Sequence, residues 1–534
     1  AHSNTAIGYN SLGDNTTGAE NVALGMQALQ DNTTANNNTA IGSQALRLNT
    51  TGSSNVAVGR NALDANTTAS DNTSVGTESL STNTTGSQNT GIGQRALFSN
   101  TTASNNTAVG NSSLILNTTG ANNTAVGASS LRSNTTGGFS TAIGSAALQS
   151  NTTGSDNTAT GRSALGLNTT GDNNVGVGHN ALTNNTTADN NTAVGKDTLK
   201  SNTTGTKNNA VGALALDANT TASFNNAFGY ESLSANTTGS ENSAFGHSAL
   251  FANTTGSSNT AVGSNALAST TTGITGAVAI GFEAFNRLTS GNHNLAIGHQ
   301  AGDHYTATTD TTLVGYNAGT SGTTGSRNTI VGSHSSTQAT TAEQNTAVGH
   351  GAMDKATTGS DNTVIGQLAG LEITTGNGNV CLGKSTGDII TTGSNQIVIG
   401  KNAQPINATN NDGITIGDSS IGSFRCQVQT ISSLSDRRDK TNIEDCIDGL
   451  DLINNLRPRK FTWAMREPSA NDGTTHLGFI AQELDEVIGA KNDYIRAVDK
   501  SNPDKLEASY GRFIPIMVKA IQELSAKVTA LEAG

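Results

Sequence analysis

Proline is almost missing from this sequence: five in 534 residues, all at Pro405 or later. That is the profile of a chain that must donate its backbone N–H groups to an unbroken β-ladder, because each proline removes a donor. Charged residues are scarce at 13%, against about a quarter in an ordinary globular chain, and aromatics reach only 4%. Low hydrophobicity often signals disorder, yet disordered chains are rich in charge and proline, and this one is poor in both. The net charge of −12 disfavours nucleic acid as a partner. No apolar run approaches about 18 residues, so no membrane insertion is predicted. Three cysteines, Cys381, Cys426 and Cys446, are spaced for neither a zinc site nor a disulfide framework. No metal site or cofactor is expected.

What is abundant is glycine, 62 residues, and it is periodic. Asn4-Thr5-Ala6-Ile7-Gly8 is followed by Asn21-Val22-Ala23-Leu24-Gly25 and Asn38-Thr39-Ala40-Ile41-Gly42. The closing glycine returns every 17 residues from Gly8 to Gly263, and after one inserted residue from Gly281 to Gly417. A period this short leaves no room for two helices and their turns, whereas short β-branched runs bounded by glycine and Asn-Thr suit strands. One unit has too little to bury to offset its own ordering entropy; stacked copies cover one another. The fold class predicted is an all-β repeat over 1–417, a solenoid of stacked coils.

Alternation places Thr5 and Ile7 on one face of the strand and Ala6 on the other. The expectation is that Ile/Val and Leu fill the coil while the alanine row (Ala23, Ala40, Ala57, Ala108) packs against another chain; alanine as an exposed filler is the alternative. The Asn-Thr-Thr triplets, such as Asn49-Thr50-Thr51, read as stacked polar ladders. They also match glycan-acceptor sequons, and a water-ordering threonine array is a minor third reading. Near 264–281 the subtype changes: Ala28-Leu29 and Ala62-Leu63 give way to Ala301-Gly302 and Ala318-Gly319. Loss of a leucine per coil implies a thinner or differently wrapped section, with the inserted residue marking the transition or a bulge.

These repeats resemble the head repeats of trimeric autotransporter adhesins and those of phage tail-fibre proteins, through the core Asn55-Val56-Ala57-Val58-Gly59. The resemblance implies a homotrimeric parallel β-roll or β-helix. The chain opens on Ala1-His2-Ser3-Asn4 just ahead of a repeat, which reads as a fragment or processed chain, with attachment to an upstream tail or baseplate protein through a missing N-terminal region.

Composition breaks near residue 418. Residues 418–434 read as a neck, and residues 435–534 carry 31 charges and four of the five prolines. Over about 513–532, Ile514, Met517, Ile521, Leu524, Val528 and Leu531 keep the alternating three- and four-residue spacing of a coiled-coil seam, or of one core helix. The run Ser435-Asp436-Arg437-Arg438-Asp439-Lys440 resembles the cleavage motif of intramolecular chaperone domains of the peptidase S74 type. So do Gly478-Phe479-Ile480-Ala481-Gln482-Glu483 and the stretch from Tyr510 to Leu524, with Leu450, Leu456, Phe461 and Trp463 at the early core positions. The domain predicted over 435–534 is a small α+β one.

The resemblance implies a trimerising chaperone that folds the fibre and cuts itself off at Leu434–Ser435, with Ser435 as nucleophile and Lys440 as general base. A serine hydroxyl needs a base, and a lysine serves only when neutral, a state favoured by burial or neighbouring cations. Residues five apart cannot meet along a helix or strand, so a turn or a second chain must join them. His476 reads as surface or packing. The function implied is a phage tail fibre of the virion that adheres to a host-surface glycan or protein receptor. The alternative is a bacterial surface adhesin or extracellular filament. Acidic residues stand singly among Asn, Thr and Ser, which disfavours a glycan-cleaving site; self-cleavage is the only chemistry expected.

Overall fold

The structure, a computed structural model, describes residues 2–271, 273–421, 423, 425, 435–464, 473–501, 504 and 506–534. It divides into two compact units, Ala1–Ala347 and Val348–Gly534. Twenty-five three-residue strands, from β1 (Thr5–Ile7) to β25 (Ile414–Ile416), recur once per coil. Pairing is parallel and in register with the equivalent residue of the next coil: Ala108 lies beside Ala125, and Ala125 beside Ala142. The first unit contains the coils of β1 to β20 (Thr329–Val331). Within the second, coils also pair in parallel and in register, with Cys381 beside Val398, and a small α+β region that ends in a long helix follows in the sequence. The repeat is a parallel β-solenoid.

The closing glycine is required by stacking. Gly110 has φ +135°, and a Cβ there would stand 2.6 Å from the carbonyl of Gly127 in the next coil. Four residues later comes the leucine, also at positive φ (Leu114 49°, Leu131 46°). A left-handed leucine costs about 1–2 kcal/mol, and its complete burial, about 1.5–3 kcal/mol, offsets that. Every such leucine from Leu29 to Leu267 is fully buried.

The two strand faces are reversed from the expectation. Ala23, Ala40, Ala57 and Ala108 are fully buried inside the coil, while Ile7, Leu24 and Ile41 point outward and are 61%, 43% and 37% exposed. The interior is narrow: opposite the strand lies the leucine of the preceding coil, and the space between takes a methyl group. Where glycine replaces the alanine, at Gly176, a Cβ would meet Leu165 Cγ at 3.3 Å. Small residues therefore face in and β-branched ones face out.

Later coils are refilled rather than thinned, which corrects the second expectation. As the leucine gives way to Gly319, Gly370 and Gly387, the strand centre enlarges to Leu313, Val364 and Cys381, all buried. Cβ atoms at these glycines would meet Leu313 Cδ2 at 3.0 Å, Ile373 Cδ1 at 2.8 Å and Cys381 Sγ at 2.6 Å. Burial pushes the Cys381 thiol up to about 12, so it serves as packing. The inserted residue falls between Thr271 and Ile274: Thr254 still bonds Thr271 17 residues on, whereas Asn259 reaches Ile274 at a separation of 15 instead of the usual 14. The strand ladder passes it without a break, Thr260 pairing with Val278.

Asparagine supplies two buried ladders. Asn49 Nδ2 donates to Asn32 Oδ1 at 3.0 Å and to Gly52 O at 2.9 Å, while Asn38 N donates to Asn21 Oδ1 at 3.0 Å. The first threonine of each triplet donates to the next coil, as Thr33 Oγ1 does to Thr50 O at 3.0 Å. The triplets are thus polar ladders. Inside folded coils the triplet asparagines, such as Asn32 and Asn49, are buried, which removes them as glycan acceptors, and the hydroxyls of the first triplet threonines are already engaged.

Candidate functional site

The site begins at Ser435; Leu434 and residues 426–433 of the neck lie outside the described residues. Asp436 caps a single 3-10 turn, Arg437–Asp439, by accepting from Arg438 N at 2.9 Å. Lys440 closes it by donating its backbone N–H to Arg437 O at 3.2 Å. The turn folds the chain back far enough for Lys440 Nζ to donate to Ser435 Oγ at 2.6 Å. Of the two routes open to residues five apart, a turn within one chain makes this contact.

The charges around it sort themselves. Arg438 forks onto Asp436, Nε to Oδ1 at 3.1 Å and Nη2 to Oδ2 at 2.5 Å. That pair holds the Asp436 carboxyl below the usual carboxylate range and pushes the guanidinium up. Arg438 and Asp436 thus cancel one another beside the lysine. Every residue from Ser435 to Ile447 is exposed, including Ile443 and Ile447 at 54% and 85%. Within one chain this is an arm with two apolar residues that nothing covers.

Asp448 is where the arm enters the domain. Its buried carboxylate accepts from Lys491 Nζ and Tyr494 Oη, and the lysine first, then the tyrosine, hold it below the ordinary range. Gly449 then precedes α1 (Leu450–Asn455) and offers no capping side chain. Glu523 of the terminal helix α4 (Ile514–Glu532) supplies one, accepting from Leu450 N at 2.8 Å; a Cβ on Gly449 would stand 2.6 Å from that carboxylate.

The sequence motifs interlock. Strand β26 (Arg459–Thr462) pairs antiparallel with β27 (Thr475–Gly478), which leads into α2 (Ala481–Ile488). Arg459 grips Glu483 of the Gly478–Glu483 motif through Nε at 2.8 Å and Nη2 at 2.7 Å. Phe479 N donates to Tyr510 Oη at 3.0 Å, tying that motif to the closing stretch. Leu452, Leu484, Ile488, Ile495, Val498, Phe513 and Ile516 form the core, with Leu456 packed at its margin. Trp463, expected in this core, is instead 49% exposed and packs on Phe461 and His476.

Helix α4 uses two faces. Ile516 and Ala520 are buried, together with Phe513 of the 3-10 turn just before the helix, whereas the seam residues Ile514, Met517, Ile521, Leu524, Val528 and Leu531 are all exposed in one chain. The sequence pattern found the seam but missed the Glu523 cap and the Asp448 cluster. Both join residues more than forty positions apart, and their only local trace is an acid beside a glycine (Asp448-Gly449) at a helix start. Among the described residues, no cluster of His, Cys, Asp and Glu is arranged to hold a metal, and no helix is long and apolar enough to cross a membrane.

Compared with curated proteins and with solved structures, the chain has no match. Residues 435–492 do match the family model for the chaperone of endosialidase, peptidase S74, and the match starts at Ser435. The region that holds the Ser435–Lys440 contact is therefore a domain of the chaperone-of-endosialidase type, set behind a β-solenoid.

Proposed function

We propose that this chain is the structural fibre of a phage tail, a homotrimer whose solenoid is the shaft and whose 435–534 domain assembles it and then cuts itself away. The observation that carries the reading is the family match beginning at Ser435, where Lys440 already lies on the serine hydroxyl. The shaft belongs to the virion and meets a host-surface glycan or protein.

Cleavage runs through Ser435. Neutral Lys440 takes the Oγ proton as Oγ adds to the carbonyl of Leu434; the Ser435 nitrogen then leaves, protonated, and an ester replaces the amide. Water hydrolyses the ester to a Leu434 carboxylate and restores the Ser435 hydroxyl. A lysine is neutral only where its charge is disfavoured, and burial is the strongest such influence. Both side chains are exposed in one chain, so covering the arm by neighbouring subunits is the step that switches the base on. The exposed Ile443 and Ile447 and the open α4 seam are the surfaces such neighbours would cover.

The test is expression with and without residues 435–534. The full chain is expected to yield a sedimenting trimer, and the truncated one to fail to reach it. A truncated chain that assembles equally well, or a full chain that stays monomeric, contradicts the proposal.

A further inference from the structure

Neighbouring coils close the core between them: from Ala23 and Leu29 onward the strand-centre alanines and the leucines up to Leu267 are fully buried without help from another chain, whereas Ala6 of the first coil is exposed. What a single chain leaves uncovered is the outward face of its strands. In the first unit this face carries two residues from each of β1 to β20, and none of them is Lys, Arg, Asp or Glu. The third strand position is apolar in nineteen of the twenty, Thr160 being the exception. The adjoining rows are not so restricted: Arg60, Arg162 and Lys196 follow the closing glycines, and Glu20, Asp71, Asp156 and Glu241 precede the strands. The second threonine of the triplets forms another exposed row without charge, as at Thr51 and Thr136, but a polar one; the ribbon is the row that is both uncharged and apolar at its outer position.

Size supports a protein partner. Rungs about 4.8 Å apart, with alternate side chains spanning roughly 10 Å including their own width, give this ribbon an area of about 1,000 Å² over twenty rungs. A stable interface takes about 800 Å² from each partner, which the ribbon supplies. The ribbon is also periodic, and only a partner with the same rung spacing can match it along its length. A second copy of this chain has that spacing. Phe228 and Phe245 continue the ribbon as parallel rings 5.0 Å apart, leaving an even surface.

We propose that the uncharged outward ribbon of the strands is the surface through which copies of this chain pack along the shaft. This rests on the trimer reading and identifies the face it uses, opposite to the one the alternation pattern first indicated.

The experiment uses the full chain with Cys426→Ser and Cys446→Ser, carrying either Val126→Cys on the ribbon or Thr136→Cys on the exposed triplet corner. Both variants are expected to sediment as trimers. Val126→Cys should react with a bulky maleimide at least tenfold more slowly than Thr136→Cys, and only Val126→Cys should form chain-to-chain links with a short bis-maleimide. A trimer in which Val126→Cys labels as fast as Thr136→Cys and does not cross-link overturns the assignment while leaving the trimer intact. A parent chain that sediments as a monomer overturns both.

Discussion

Glu523 on the terminal helix accepts a hydrogen bond at 2.8 Å from the backbone N–H of Leu450, 73 residues earlier. The helix bearing the exposed seam thus completes the first turn of the helix that follows the Ser435–Lys440 arm. Removing a capping oxygen costs about 1–2 kcal/mol. Glu523→Ala should lower the unfolding free energy of the C-terminal domain by that amount, seen as a lower urea midpoint, and Glu523→Gln, which keeps an acceptor, by less. Trp463 is the single tryptophan and reports this domain alone. Equal midpoints for Glu523→Ala and the parent would show that the cap carries no stability.

Asp448 makes the domain acid-sensitive. Lys491 and Tyr494 hold its carboxyl below the ordinary value, so the folded state binds its proton less readily than the unfolded chain. For a depressed carboxyl the stabilisation is full above the unfolded value of about 3.9 and is lost as pH falls through the lower folded value. Asp448→Asn should therefore be less stable than the parent at pH 6–7, and the difference should shrink as pH drops below about 4. Trp463 fluorescence across a pH series of urea titrations measures it. A gap of constant size would assign Asp448 no role in acid sensitivity.

In the solenoid, Asn100 Nδ2 donates to Asn83 Oδ1 at 2.8 Å and to Ala103 O at 2.9 Å, and its own oxygen accepts from Asn117 Nδ2 at 2.9 Å. Leucine is native at the equivalent place in a later coil, Leu288, where no asparagine ladder runs. Asn100→Leu should nevertheless destabilise the shaft by about 2 kcal/mol or more, because it strands the Asn83 Oδ1 acceptor and one Asn117 N–H in the interior, while Ala103 O keeps its bond from Asn89 Nδ2 at 2.9 Å. The denaturant midpoint of the solenoid's circular dichroism checks this, and an unchanged midpoint would remove the ladder from the account.

Much of this architecture is legible in the residues. The 17-residue spacing marks every rung, Gly110 and its equivalents mark the tight stacking, and the Asn-Thr-Thr triplets mark the ladders. Which strand face looks inward was not legible from alternation, which defines two faces without ranking them. Size alone favours the larger residues as filling, but the coil is too narrow for Ile41 and takes Ala40. The informative signal was compensation: Leu313 appears where Gly319 has replaced a leucine, which places both in one cavity. In the tail, the motif resemblance named Ser435 and Lys440, while their spacing left open whether a turn or a second chain joins them; the Asp436 cap on Arg438 N makes it a turn. The Asp448 and Glu523 contacts span too much sequence for any local pattern to carry them.

Intact mass spectrometry of the purified full chain tests the self-processing claim most directly. The account predicts a C-terminal piece of 100 residues that begins at Ser435, and one uncut chain of 54.0 kDa from Ser435→Ala and from Lys440→Met. An assembled trimer of uncut parent chains, or cleavage at the same bond in Ser435→Ala, would contradict it.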